Sequence, residues 1–208
     1  MVVKGDKDGG IKKMRDANVL QTINGYRSIS IIGGEFAITT DESNVAISTL
    51  LGSCVAMMFF DKVAKIKGMN HFLLPTAGGF QDSFKYGLNS VETMLNAMYK
   101  MGCKKENLEV KIAGGASVIN STSIDIGTKN VNFARDFCKS EQIRVQSEHV
   151  QGSHGRVVLL ASEFQTFIRF VTNSALEEKI KLEEKKILEV SNKKESVMEG
   201  GSGDITLF

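Results

Sequence analysis

The stretch GSCVAMMFFDKVAKIKGMNHFLLP, residues 52–75, contains two apolar runs separated by a short charged break. Residues 55–60 form the first run, Asp61 and Lys62 close it, and residues 65–74 form the second, which ends at the only proline of the chain. Short apolar runs bounded by turn residues are typical of buried strands. The stretch therefore predicts a β-hairpin within the core.

This hairpin makes Cys54 and His71 candidates for a nucleophile and its base. They are 17 positions apart with the turn almost midway, so an antiparallel return can bring them side by side. Gly52 and Ser53 before the thiol permit close approach of a substrate carbonyl, and backbone N–H groups there could stabilise an oxyanion. A neutral imidazole can withdraw the thiol proton. The alternatives are a buried structural cysteine and a core histidine bonded to a backbone carbonyl.

A third group usually fixes the tautomer and orientation of a catalytic imidazole. No aspartate or asparagine stands out by its spacing from His71. Ser48 and Thr49 are the local hydroxyl candidates, and for each of them the alternative is an ordinary strand residue. The residues alone do not choose between the two.

The surrounding sequence alternates short β-prone runs with two amphipathic segments, which indicates an α/β fold. Predicted strands cover residues 30–32, 35–39, 45–51, 109–113, 143–145, 156–160 and 166–171. Predicted helices cover residues 84–101 and 128–139. We expect a compact single-domain sandwich of mostly antiparallel sheet with packed helices.

Changes in composition predict four regions along the chain. They are a polar N-terminal arm at 1–27, the folded domain at 28–172, a charged helix at 173–199 and a glycine-linked tail at 200–208. Ser174 to Glu177 fits a capping box at the start of the charged helix. The tail is either disordered or a docking peptide for another protein.

Composition excludes several classes of function. The net charge is only +2 and no basic block occurs, so no nucleic-acid surface is expected. Cys54, Cys103 and Cys138 are odd in number and widely spaced, which favours reduced thiols over a disulfide framework. No stretch approaches the roughly 20 apolar residues of a membrane span. We expect a cytoplasmic protein without direct membrane insertion.

Two further motifs favour structural interpretations. The segment Gly114 to Ser117 follows a strand but lacks the lysine of a phosphate-binding loop, so close packing beside the cysteine turn is preferred. His149 and His154 could form a metal pair, but no carboxylate or thiol completes a set, which favours a surface loop. We therefore expect no metal and no organic cofactor.

Three blocks together resemble the CheD family of bacterial chemoreceptor glutamine deamidases. The blocks are residues 49–56, 68–75 and 113–117. Tyr86-Gly87 and residues 126–131 add support, and the similarity extends from about Ser28 to Val171. The resemblance implies a compact α/β domain similar to the bacterial toxins that deamidate glutamine in small GTPases.

The resemblance also implies roles for individual residues. Cys54 would be the nucleophile and His71 the base. The family threonine, six residues before the cysteine, matches Ser48, with Thr49 adjacent as a substitute. Candidates for binding substrate or oxyanion through the backbone are Gly52, Ser53, Gly114 and Gly115.

The implied activity converts selected glutamines of methyl-accepting chemotaxis receptors to glutamate through a cysteine thioester, with release of ammonia. The substrate would be the cytoplasmic helical bundle of the receptor, and a glutamyl methyl ester could in principle be hydrolysed by the same groups. One alternative is a regulatory binding partner of a CheC-type phosphatase with catalysis secondary or lost, and another is a general thiol hydrolase of small amides or esters. Residues 149–152 and 156–158 depart from the family pattern, so substrate or partner surfaces there are expected to differ.

Overall fold

The computed structural model describes residues 1–6, 10–13, 20–23, 25–74, 80–117, 126–182 and 185. The strands are β1 Val2–Asp6, β2 Ile11–Lys13, β3 Leu20–Ile23, β4 Tyr26–Ser30, β5 Glu35–Thr40, β6 Val45–Leu51, β7 Val55–Asp61, β8 Ile66–Asn70, β9 Leu108–Gly114, β10 Arg144–Val150, β11 Arg156–Leu160 and β12 Thr166–Phe170. The helices are α1 Phe80–Lys100 and α2 Ile126–Ser140, and residues 174–182 are also helical.

The described strands form two sheets. One has seven strands in the order β10-β9-β7-β8-β5-β1-β2, and the other has five in the order β12-β11-β6-β4-β3. Strands β9 and β10 are parallel, as are β4 and β6, while the remaining described pairs are antiparallel. The predicted class, an α/β sandwich of mostly antiparallel sheet with packed helices, is confirmed.

Strand β7 lies at the centre of the molecule and is buried on both faces. Its side chains alternate: Val55, Met57 and Phe59 pack against the helices. Ala56 and Met58 face the five-stranded sheet. Double burial explains why this strand is a continuous apolar run instead of an alternating one. The resulting layers are helices, seven-stranded sheet and five-stranded sheet.

The N-terminal region differs from the predicted polar arm. β1 lies inside the seven-stranded sheet, where it pairs antiparallel with β5, and Val2 and Val3 are each only 4% exposed. β2 and β3 extend the two sheets. These strands are three to five residues long and lie in a polar, charged part of the sequence, so no apolar run marks them. The tail at 200–208 lies outside the described residues.

The end of β10 and the start of the C-terminal helix also differ from the predicted boundaries. β10 continues to Val150, well beyond the predicted residues 143–145, because it is an edge strand whose exposed side chains form no apolar run. The helix at 174–182 is capped by Asn173, whose Oδ1 accepts a bond from the Ala175 N–H at 2.8 Å, one residue before the predicted cap. Ile180, at 2% exposure, holds this helix to the domain.

Candidate active site

The hairpin of β7 and β8 places Cys54 and His71 on the same face. The two chains pair antiparallel at Met58 with Met69, and an isolated bridge joins Val55 to Phe72 in the same register. Cys54 is then a diagonal neighbour of His71, a relation that places Cα atoms about 7–8 Å apart. Both residues point into the layer between the two sheets and are buried, at 2% and 1% exposure.

The hydroxyl that meets His71 comes from the opposite sheet. Thr49 Oγ1 lies 2.8 Å from His71 Nδ1, across the layer between β6 and the hairpin. Side chains alternate along a strand, so Thr49 shares the inward face of β6 with Ile47 and Leu51. Ser48 points to the other face, where its hydroxyl is directed at the Ile29 carbonyl at 3.4 Å. The structure therefore brings Thr49, and not Ser48, to the imidazole.

The hydrogen bonds of Thr49 fix the tautomer of His71. A threonine hydroxyl has one proton to donate. Thr49 donates it to the Ile31 carbonyl at 2.8 Å. Its oxygen must then accept from the imidazole, so Nδ1 of His71 is the protonated nitrogen. The lone pair of the ring is left on Nε2.

This Nε2 is buried and has no hydrogen-bond partner among the described residues. Burial lowers the pKa of His71 from 6.5 to about 4, and the charge of Glu35 opposes the shift. The imidazole is therefore neutral at pH 7. A neutral ring with its lone pair on Nε2 has the protonation state that a general base requires.

Gly114 and Gly115 hold the cysteine turn through their backbone. A Cβ at Gly114, where φ is +118°, would lie 2.1 Å from the Cys54 carbonyl oxygen, so only glycine fits. The Gly115 N–H donates to that carbonyl at 2.8 Å, and the Ala116 N–H donates to Gly52 at 2.8 Å. The Gly115 N–H is thus bonded to the cysteine residue itself. That these backbone groups bind substrate or oxyanion stays a prediction.

One residue at the site was not assigned a role from the sequence. Asn130 of α2 is fully buried. Its carboxamide bonds the Ser53 carbonyl just before Cys54 and the Leu74 N–H three residues after His71. The only signal in the sequence is a polar residue on the otherwise apolar face of an amphipathic helix. That pattern does not indicate which distant backbone groups the side chain meets.

The two histidines considered as a metal pair have other contacts. His149 Nδ1 accepts from the Arg156 guanidinium at 2.9 Å, and His154 lies 3.0 Å from the Ser153 hydroxyl. No group of three or more His, Cys, Asp or Glu that could hold a metal ion occurs in the described part of the chain. Among the same residues, no helix is long and apolar enough to cross a membrane.

Sequence comparisons place the chain in a family. A protein from Rhizobium leguminosarum bv. trifolii named probable chemoreceptor glutamine deamidase CheD is 42% identical over 143 residues, which cover 66% of this chain and 76% of the relative. The chain belongs to the CheD family. A relative of the same name from Agrobacterium fabrum is 41% identical over 134 residues, covering 64% of this chain and 73% of its own.

The CheD family model, described as CheD chemotactic sensory transduction, matches residues 73–170. Its match begins just after His71, so it includes Asn130 but neither Cys54 nor His71. Among solved structures, a Bacillus licheniformis hypothetical protein, YfiH, aligns with a TM-score of 0.35 and 15% identity over 51% of this chain and 46% of that one. A structural similarity of that size supports no argument about this CheD protein.

Proposed function

We propose that this protein is a cysteine-dependent glutamine deamidase that acts on the cytoplasmic helical bundles of chemoreceptors. The observation that carries the proposal is the neutral His71, whose Nδ1–H is held by Thr49 and whose Nε2 faces the same layer as Cys54. The names of the CheD relatives, probable chemoreceptor glutamine deamidases, supply the substrate class.

The acylation half of the reaction uses Cys54 and His71. Nε2 takes the thiol proton, and the sulfur attacks the carboxamide carbon of the glutamine to give a tetrahedral oxyanion. When the C–N bond breaks, the imidazolium returns the proton to the leaving nitrogen, which departs as ammonia. A thioester between Cys54 and the former glutamine side chain remains.

Deacylation reverses the roles. Nε2 takes a proton from water, and the resulting hydroxide attacks the thioester carbon. The C–S bond breaks, the thiolate regains its proton from the imidazolium, and a glutamate side chain is released. Thr49 touches neither reacting bond. It stabilises the Nδ1–H tautomer and the imidazolium in both halves.

The test uses receptor cytoplasmic fragments incubated with the native protein, with Cys54→Ala and with Cys138→Ala. Cys138 is the matched control, because it is as buried as Cys54, at 2% exposure, but lies on α2 in the core between the helices and the seven-stranded sheet. Native protein and Cys138→Ala should raise the fragment mass by about 1 Da per converted glutamine. Cys54→Ala should give no gain.

Trapping identifies the intermediate. Rapid acid quenching of the native reaction should capture receptor fragment bound to Cys54 through a bond that hydroxylamine cleaves, as a thioester requires. Absence of any mass gain with the native protein would contradict the deamidase proposal. Binding to the fragment, or to a CheC-type phosphatase, without such a gain would favour the regulatory alternative.

A further inference from the structure

Asn130 joins the segment that bears the nucleophile to the segment that bears the base. Its Nδ2 donates to the Ser53 carbonyl at 2.9 Å, and its Oδ1 accepts from the Leu74 N–H at 2.8 Å. Ser53 immediately precedes Cys54, and Leu74 follows His71 by three residues. One fully buried carboxamide thus holds the two open ends of the hairpin from a helix that is distant in the sequence.

These two stretches bond each other at few positions. The regular pairing of β7 with β8 runs from Met58 and Met69 toward the turn, and beyond it the strands are joined by the Val55–Phe72 bridge and by Asn70 Oδ1, which accepts from the Met57 N–H. Different neighbours hold each stretch separately: the Gly115 N–H bonds the Cys54 carbonyl, and the His71 N–H bonds the Glu35 carbonyl. Asn130 bonds both sides of the hairpin beyond the Val55–Phe72 bridge, at Ser53 and at Leu74. Cys54 and His71 each lie one residue before a bridge residue, where small shifts of either chain change the separation of their side chains.

The choice of asparagine is costly for the helix itself. Asparagine in a helix interior is less favourable than alanine by up to about 0.7 kcal/mol. Among the described residues, its two polar atoms bond backbone groups outside α2, and two such bonds contribute about 1 kcal/mol each. The side chain therefore stabilises the packing of α2 against the segments that carry Cys54 and His71, and not the helix itself.

We propose that Asn130 is a positioning residue that sets the orientation of the Ser53–Cys54 peptide relative to His71. This inference rests on the proposed deamidase function. Since this peptide is trans, a carbonyl held by Asn130 directs the Cys54 N–H to the opposite side. The backbone N–H of a nucleophilic residue commonly stabilises the oxyanion in acyl transfer. The carboxamide thereby fixes the segment that carries the thiol and the segment that carries the base relative to each other.

The experiment compares Asn130→Ala and Asn130→Asp with Asn70→Ala. Asn70 is an equally buried asparagine that bonds the Met57 N–H at 3.0 Å and the Ser90 hydroxyl at 3.5 Å, on the helix side of the sheet. Asn130→Asp keeps the acceptor for Leu74 but removes the donor to Ser53, and its similar size preserves the packing. For every variant, the stability, the kcat and KM for receptor fragments, and the rate of Cys54 alkylation by iodoacetamide are measured.

We expect both Asn130 variants to lose about 10- to 100-fold in kcat with KM within about threefold, because misplacement of reacting groups affects the chemical step. Cys54 alkylation should fall about tenfold in both variants. Asn70→Ala should lose stability but keep kcat and alkylation within about threefold. A folded Asn130→Asp with native kcat and alkylation would overturn the proposal, as would losses in Asn130→Ala no greater than those in Asn70→Ala.

The two readouts separate this inference from the function on which it rests. Alkylation of Cys54 needs no receptor. If the native protein failed to deamidate receptor fragments, the deamidase proposal would fail. The alkylation rates would still decide whether Asn130 positions the thiol.

Discussion

Two polar pairs lie buried between the sheets at opposite ends of the β7–β8 hairpin, and they differ in how completely they are satisfied. At the turn end, Lys67 is 0% exposed and its Nζ lies 2.9 Å from Asp41 Oδ1. The other carboxylate oxygen accepts the Glu163 N–H at 3.1 Å. At the open end, Thr49 satisfies only one nitrogen of His71.

The difference separates a structural polar pair from a reactive one. Burial lowers the pKa of Lys67, and the hydrogen bond and charge of Asp41 oppose that shift. A buried acceptor left without a partner costs about 1–3 kcal/mol. Among the described residues, three buried side-chain atoms have no hydrogen-bond partner: His71 Nε2, Thr39 Oγ1 and Arg156 Nε. Lys67 and His71 are almost equally buried, and the unmatched lone pair of His71, on the face that carries Cys54, is what fits the proposed role of a base.

The largest effect is expected from breaking the satisfied pair. Lys67→Ala should lower the free energy of unfolding by about 3–5 kcal/mol, because the Asp41 side chain loses its partner in a mostly buried position. Lys67→Met should cost less, because its side chain fills the space. Urea denaturation measures both losses, and kcat of the folded variants should stay within about threefold of native. A cost below about 1 kcal/mol for Lys67→Ala would show that the pair is not structural.

Thiol labelling tests whether Cys54, at the open end of the hairpin, is activated. Burial raises the pKa of Cys103 and of Cys138 to about 12. Only about one molecule in 10⁴ then has either thiolate at pH 8. We expect iodoacetamide to alkylate Cys54 on the order of 10³ times faster, and His71→Ala to remove most of this preference. Peptide mapping by mass spectrometry measures the three rates, and equal labelling would contradict an activated thiol.

The neutral His71 predicts a dependence of stability on pH. Its pKa is about 4 in the folded protein and 6.5 in the unfolded chain, so between these values the unfolded chain binds more protons. The contribution of His71 to the free energy of unfolding is fully present above pH 6.5. It decreases by on the order of 3 kcal/mol as the pH falls toward 4.

The measurement is urea denaturation between pH 7 and pH 4. His71→Gln is the matched variant, because glutamine does not titrate in this range. The loss of stability across this interval should be smaller in His71→Gln than in the native protein. Identical pH profiles would show that His71 is not held neutral by the fold.

The smallest effect distinguishes two neighbouring hydroxyls. Thr49→Val should lower kcat about 10- to 100-fold, which is about 1.4–2.7 kcal/mol of barrier, because the Nδ1–H loses its acceptor. Ser48→Ala should leave kcat within about threefold, since its hydroxyl faces the other side of β6. Steady-state kinetics with receptor fragments compares them. The reverse order of effects would favour Ser48 as the orienting residue.

The sequence predicts much of the fold from local patterns. The central hairpin, both helices and strands β5, β6, β7, β9, β11 and β12 lie where periodicity and turn residues place them, within a few residues. These segments carry apolar runs or amphipathic periods bounded by turn residues, which local patterns reveal. β1 to β3 escape this kind of prediction because they are short and lie in a polar, charged region, and their strand conformation comes from pairing with neighbouring strands.

For the proposed site, the sequence by itself determined which thiol and which imidazole are the candidates and the hairpin between them, since these depend on residue type and spacing over a short range. Tertiary structure decided which hydroxyl meets His71. Ser48 and Thr49 are adjacent and chemically alike, and the packing of β6 against the hairpin alone selects the inward one. It also brought Asn130 to both segments across separations of 77 and 56 residues, which no local pattern encodes.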